Sequence, residues 1–281
     1  MNELGHFPEK KSFPNNSSFQ IDFGNALLVA FLIMMSLLVP SVIINFPVKF
    51  WPEFYHVSLP LSFLAGGLLG IVVLMAYLKI NGSVIVEHLR IIPSFWLILL
   101  SVLFYLFSLP FAEFLASLFP TTGHWLIEEL YRSTTHAFEM MLDYKIAGFI
   151  TVCILAPFFE EILFRGILLR GMLQYKMNPT LAIVFSSVLF GLVHMNPWQF
   201  LGAGILGVVF AFVYYRTQSL WVCIFLHALN NTVSYGYMLK SQTMEESITN
   251  PNDFLWIGVS LIIAVLISFG IYIFTPRVKW N

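Results

Sequence analysis

The sequence predicts an all-α, polytopic transmembrane helical bundle of about eight spans. Composition points to it first: of 281 residues, 58% are hydrophobic and 10% charged, where soluble domains run roughly 45–50% apolar and about 25% charged. Mean hydropathy is +0.82. The second observation is a series of apolar runs near the roughly 20 residues that a helix needs to cross a hydrocarbon core. The third is that charged residues fall almost entirely between those runs.

The runs lie at about 24–45, 57–79, 91–109, 147–172, 180–195, 200–216, 219–240 and 254–275. The fifth and sixth are short and interrupted by glycine, so they can be buried in the bundle rather than face lipid. A polar tail, 1–22, is expected to be mobile. Residues 23–281 form one transmembrane domain whose polar core lies at about 146–240. No cleavable signal peptide is expected, because the first apolar run follows a polar stretch and is too long for an h-region. The connection 110–146 mixes Trp125, Leu126, Leu130 and Phe138 with charges and reads as one or two amphipathic helices along the membrane interface.

With eight spans both termini share a side. Lys10, Lys11, Lys79, Arg90, Arg170, Lys176, Arg216, Arg277 and Lys279 gather there, against Lys49, Arg132, Lys145 and Lys240 opposite. That excess puts both termini in the cytoplasm. A net charge of −1 gives no electrostatic case for a nucleic-acid partner. Cys153 and Cys223 lie far apart in apolar stretches and read as small buried hydrophobes, not a disulfide or metal pair.

Charges at membrane depth cost about 2.5–3.5 kcal/mol on insertion scales and tend to mark function. The polar exceptions cluster: Glu160, Glu161 and Arg165 in the fourth run, His194 ending the fifth, and His227 with Asn231 in the seventh. In LAPFFEEILFRGILLRG, Glu161 and Arg165 are four apart and share a face, with the acid N-terminal as an ion pair prefers. Glu160 is rotated by about 100° and has no evident partner on its own helix. Pro157 cannot donate to the Cys153 carbonyl, so a kink or local opening is expected there. Phe190 and His194 are also four apart, and Pro197 is expected to stop that helix. His227 and Asn231 repeat the spacing. The plain alternative is that these groups merely tie helices together. Two histidines, an amide and an unpaired glutamate on three runs weigh against it.

The other polar residues carry less. Glu128-Glu129 and Glu245-Glu246 sit in polar connections, where a solvated face is the default. Glu113 is expected to be interfacial, and Tyr235 and Tyr237 to be belt aromatics. His6, His56, His88, His124 and His136 take no role.

Glu160-Glu161-x-x-x-Arg165, Phe190-x-x-x-His194 and His227-x-x-x-Asn231, in that order, resemble the three signatures of the CPBP family, the CAAX proteases and bacteriocin-processing enzymes also called the Abi family. The resemblance covers roughly 146–240, with no departure at a motif position. It implies an all-helical intramembrane endopeptidase with its site in a cavity within the bilayer. Glu160 and His194 would activate water, His227 and Asn231 would stabilise the oxyanion, and Glu161 and Arg165, with Phe190, would hold the architecture. A carboxylate in an apolar cavity can serve as a general base near neutral pH.

The family has been labelled metalloprotease, and Glu160, His194 and His227 could form a zinc set. No His-Glu-x-x-His motif is present, and the same logic works without metal, so no cofactor is favoured while a divalent metal such as zinc stays open. Expected partners are the lipid bilayer and a membrane-embedded or lipidated peptide or protein substrate: a prenylated CAAX protein, a pheromone or bacteriocin precursor, or another membrane protein. The expected location is the plasma membrane of a prokaryote. A proton-coupled transporter could use intramembrane Glu and His as well, but no internal repeat is visible. A non-catalytic scaffold would not need every motif residue intact.

Overall fold

The structure, a computed structural model, describes residues 19–241, 249–275 and 280. The described residues form helices joined by short turns, with no strand among them. They run as α1 (Phe23–Asn45), α2 (Tyr55–Leu78), α3 (Ser83–Leu89), α4 (Phe95–Ser117), α5 (Trp125–Asp143), α6 (Lys145–Gln174), α7 (Pro179–Leu192), α8 (Pro197–Thr217), α9 (Leu220–Ser241) and α10 (Phe254–Phe274). Lys10, Lys11, Arg277, Lys279, His6 and Glu245-Glu246 lie outside the described residues.

Each of the eight expected spans is met by a helix, yet six are long and apolar enough to cross a membrane. At 14 residues, α7 reaches only about 21 Å at roughly 1.5 Å per residue, short of the hydrocarbon core. Although 22 residues long, α9 carries His227, Asn230, Asn231 and Lys240 and is too polar to meet the same measure. Both are helices that need protein neighbours. Two other expectations are corrected. Four residues of the 1–22 tail are described, and Phe19 and Ile21 are buried, with the Ile21 N–H donating to the Gly171 carbonyl at 3.0 Å. The third span continues through Pro110 and Glu113 to Ser117, where the Glu113 carboxylate accepts from the Thr249 N–H at 2.7 Å. The amphipathic stretch is therefore the single helix α5. Its Glu128 and Glu129 are exposed, as expected, and Cys153 and Cys223 are buried and unbridged.

The most highly charged of the six full spans, α6, lies at the centre. More than half of the α6 window is buried (56%), against 22% for α1 and for α10; residues Ile162 through Gln174 are all buried. Charged groups in a bilayer need protein partners, so the helix that carries them is drawn inside. Helices α1 and α2 pack along each other and α10 along α4, while α8 sits between α4 and α7. Close approach depends on small residues: at Gly66 an added Cβ would meet the Ser36 carbonyl at 3.0 Å, and at Gly70 it would meet Leu163 at 3.3 Å. Gly67 lies directly under the Phe159 ring, one residue before Glu160.

A second polar cluster closes the end of α6. Arg170 donates to the Val84 carbonyl at 2.6 Å and to Glu87 at 2.8 Å, and His88 Nδ1 meets the Tyr214 hydroxyl at 2.8 Å. Arg216 holds the Tyr272 and Thr275 carbonyls, each at 2.8 Å. These contacts tie α3, α8 and α10 to the buried helix.

Two outcomes follow. Gly67→Leu drives a side chain into the Phe159 ring, and such overpacking costs about 1–3 kcal/mol, so the thermal midpoint in detergent should fall clearly below wild type. Burial, helped by the Arg170 guanidinium, pushes the His88 imidazole down to about 3, from an ordinary value of about 6.5. The unfolded chain therefore binds the proton more readily between those values. Stability is complete above about pH 6.5 and declines as pH drops toward about 3. His88→Gln should flatten that decline in a series of melts.

Candidate active site

Within α6 the helical register changes twice. Ile150–Leu155 and Ile162–Leu169 are wound as π-helix, with the α-helical turn Ala156–Glu161 between them. Such wide turns are frequent at functional sites. The Ala156 N–H reaches back to the Thr151 carbonyl, five residues earlier. In that register the next carbonyl, Val152, would take its hydrogen from residue 157, and Pro157 has none to give. The expected opening at Pro157 is thus present as an unsatisfied carbonyl. The carboxamide of Asn231 fills the need, its Nδ2 donating to the Val152 oxygen at 2.8 Å.

The two glutamates part company as their rotation requires. Glu161 is fully buried, and its Oε1 accepts from Arg165 at 2.9 Å. Arg165 also donates to the Gly207 carbonyl at 3.1 Å, and its guanidinium lies 4.4 Å from the Phe190 ring centroid. Ion pairing, a carbonyl and an aromatic face together offset the desolvation of a buried arginine. Glu160 is also buried, but its Oε2 has no hydrogen-bond partner.

His227 sits between these carboxylates. Its Nδ1 lies 2.8 Å from Glu161 Oε1, the oxygen that Arg165 also holds, and its Nε2 lies 3.9 Å from Glu160 Oε2. The imidazole stacks on Phe210 at 5.5 Å and meets the edge of Phe190 at 5.8 Å. Those two rings and the two acids leave His227 little freedom to rotate.

His194 is placed by a turn instead of a helix. Helix α7 ends at Leu192, and Met195 takes a left-handed φ of 51°, a conformation that costs a side-chain-bearing residue roughly 1–2 kcal/mol. Asn196 then caps α8, accepting from the Trp198 N–H at 3.0 Å. Helix α7 ends before Pro197, near where the proline was expected to stop it, and Pro197 itself opens α8; at the first helical position its missing N–H costs nothing. His194 Nδ1 meets the Phe190 carbonyl at 2.8 Å, and its ring packs against Phe190 at 5.1 Å. Since a carbonyl only accepts, the hydrogen is on Nδ1 and a neutral His194 presents Nε2 as a lone pair.

Six of the seven motif residues therefore join one connected set, with Phe190 touching Arg165, His194 and His227, while Asn231 lies one turn along α9 from His227 and meets α6 at Val152. Gly207, Phe210 and Val152 were missed; they contribute carbonyls and a ring, which no spacing rule marks. Asn230 was missed despite a signal, a second amide inside an apolar run. Tyr235, expected in an aromatic belt, is buried and donates to the Lys145 carbonyl at 3.0 Å, because it faces the start of α6. A zinc centre would need several converging donors. Among the described residues no three His, Cys, Asp or Glu side chains are grouped as a metal ion would require.

Comparison with known proteins bears on the same segment. Residues 143–233 match the family model described as Type II CAAX prenyl endopeptidase Rce1-like. The chain is 44% identical over 79 residues to "Putative membrane peptidase YdiL" of Bacillus subtilis (strain 168), covering 28% of this chain and 32% of that one. It is 35% identical over 90 residues to UPF0177 protein YaiF of Lactococcus lactis subsp. lactis (strain IL1403), covering 32% of this chain and 39% of that one. The matches thus span about a third of the length of these relatives. No solved structure matches the chain. The three motifs in order, the buried set they build and the matched segment point the same way: over residues 143–233 this chain is similar to the Rce1-like CAAX prenyl endopeptidases.

Proposed function

We propose that this protein is an intramembrane endopeptidase that cleaves a membrane-associated peptide or protein with water activated by Glu160 and His194. The observation that carries the reading is a buried carboxylate oxygen, Glu160 Oε2, with no hydrogen-bond partner beside an imidazole at 3.9 Å. A buried acceptor left open is costly unless something is to occupy it.

In this mechanism a water molecule gives one proton to Glu160 as its oxygen attacks the scissile carbonyl. The lone pair of His194 Nε2 orients that water. The carbonyl oxygen becomes an oxyanion, for which Asn231 offers an amide hydrogen. With Glu161 accepting at Nδ1, His227 donates through Nε2 only when its ring carries both protons. Glu160 then returns its proton to the leaving amine as the carbon–nitrogen bond breaks. Glu161 and Arg165 keep His227 in place. No step requires a metal.

The substrate class follows from position. Glu160, His194 and His227 lie in or at the ends of helices packed in an apolar bundle, so a cleavable segment must itself enter a membrane environment. A lipidated peptide or a membrane-spanning segment fits this, and the Rce1-like match of residues 143–233 favours the former. We place both termini in the cytoplasm of a prokaryote's plasma membrane, on the distribution of lysine and arginine.

Purified protein in detergent, presented with a membrane-peptide library, should cleave at least one member. Glu160→Ala, His194→Ala and His227→Ala should each reduce that activity by about 100-fold or more, as loss of an acid–base or oxyanion group does; Glu160→Ala should melt near wild type, while His227→Ala should also lower the midpoint because it removes the α9 contact to Glu161. Cleavage that persists in Glu160→Ala would sink the mechanism. A strong chelator should leave the rate unchanged, and elemental analysis should find no stoichiometric metal; loss on chelation with rescue by zinc would reverse the metal-free assignment.

A further inference from the structure

We infer that Tyr105 and Asn230 are positioning residues that set which way the Asn231 carboxamide faces; this rests on the peptidase reading given above. A carboxamide has a donor end and an acceptor end of nearly equal shape, and only the donor end can stabilise an oxyanion. Its direction here is forced along a relay. The Val152 carbonyl can only accept, so the Asn231 nitrogen must face it, at 2.8 Å. The Asn231 oxygen then faces the neighbouring amide and accepts from Asn230 Nδ2 at 3.1 Å. That turns the Asn230 oxygen toward Tyr105, whose hydroxyl donates to it at 3.3 Å.

The relay crosses three helices. Asn230 and Asn231 are consecutive on α9, about 100° apart around the axis, so one faces α4 while the other faces the opened turn of α6. Tyr105 is fully buried on α4, where a phenol requires a partner. Were the Asn231 amide to turn over, its oxygen would face both the Val152 carbonyl and the developing negative charge, and its nitrogen would meet the Asn230 Nδ2, donor against donor. The relay removes that option and leaves the second Nδ2 hydrogen of Asn231 for the oxyanion. Neither Tyr105 nor Asn230 belongs to the three motifs, and Tyr105 lies outside the matched segment 143–233.

The test uses the full chain in detergent and a fluorogenic peptide taken from the library hit. Tyr105→Phe removes one hydroxyl and should lower kcat about fivefold with KM within about twofold, the loss of one hydrogen bond that acts in the transition state. Asn230→Leu should lower kcat further. In an Asn231→Ala background Tyr105→Phe should cost nothing more, because the group it orients is gone. Full kcat in Tyr105→Phe, or a loss that multiplies with Asn231→Ala, overturns the inference. A readout independent of activity accompanies it: with 15N-asparagine labelling, the side-chain amide signals that disappear in Asn231→Ala should shift in Tyr105→Phe. Unchanged signals overturn the relay. Shifted signals in a chain that cleaves nothing would overturn the peptidase reading and leave the relay standing.

Discussion

The site depends on one buried oxygen. Glu161 Oε1 accepts from Arg165 and meets His227 Nδ1 at the same time, at 2.9 and 2.8 Å. Inside an apolar bundle neither charge could persist without the other, and breaking a buried pair typically costs about 3–5 kcal/mol. The pair therefore does more than stabilise α6. It fixes the rotation of the helix, which sends Glu160 to the opposite side of the imidazole, and it carries α9 against α6 through His227. Arg165 extends the same constraint to α8 through the Gly207 carbonyl and to α7 through the Phe190 ring. Four helices converge on one carboxylate.

Backbone irregularity is the other half of the design. A regular α-helix satisfies its own carbonyls and offers nothing to neighbours. The π-wound stretches of α6 and the proline between them leave the Val152 carbonyl for a side chain. Similarly, α7 stops short, and the strained turn at Met195 puts His194 beside Phe190. Irregular backbone is tolerated at membrane depth only where protein or cavity surrounds it, and the second π-wound stretch, Ile162–Leu169, is buried throughout.

Burial divides the polar residues by role. Arg170, Arg216 and His88 are as buried as Arg165, yet they bind structural groups: carbonyls, Glu87, Thr275 and Tyr214. They fasten the ends of helices. Intramembrane charge alone would not separate them from the site. An unsatisfied acceptor does, and Glu160 Oε2 has that property beside a histidine.

Membrane insertion and helical class were legible in the sequence, because both depend on composition and run length. The Glu161–Arg165 pair was legible too, since residues four apart on a helix meet whatever surrounds them. The count of full spans was less so: α7 and α9 read as spans, but one is too short and the other too polar, and only packing explains how they are accommodated. The partners of His227 and Asn231 were not legible at all. They lie 66 and 79 residues away along the chain, and contacts at that separation depend on how helices dock, which local periodicity does not encode. Motif spacing thus named the residues of the candidate site, while tertiary structure decided that Glu161 holds an arginine and a histidine through one oxygen and that Glu160 Oε2, facing the same histidine, makes no hydrogen bond.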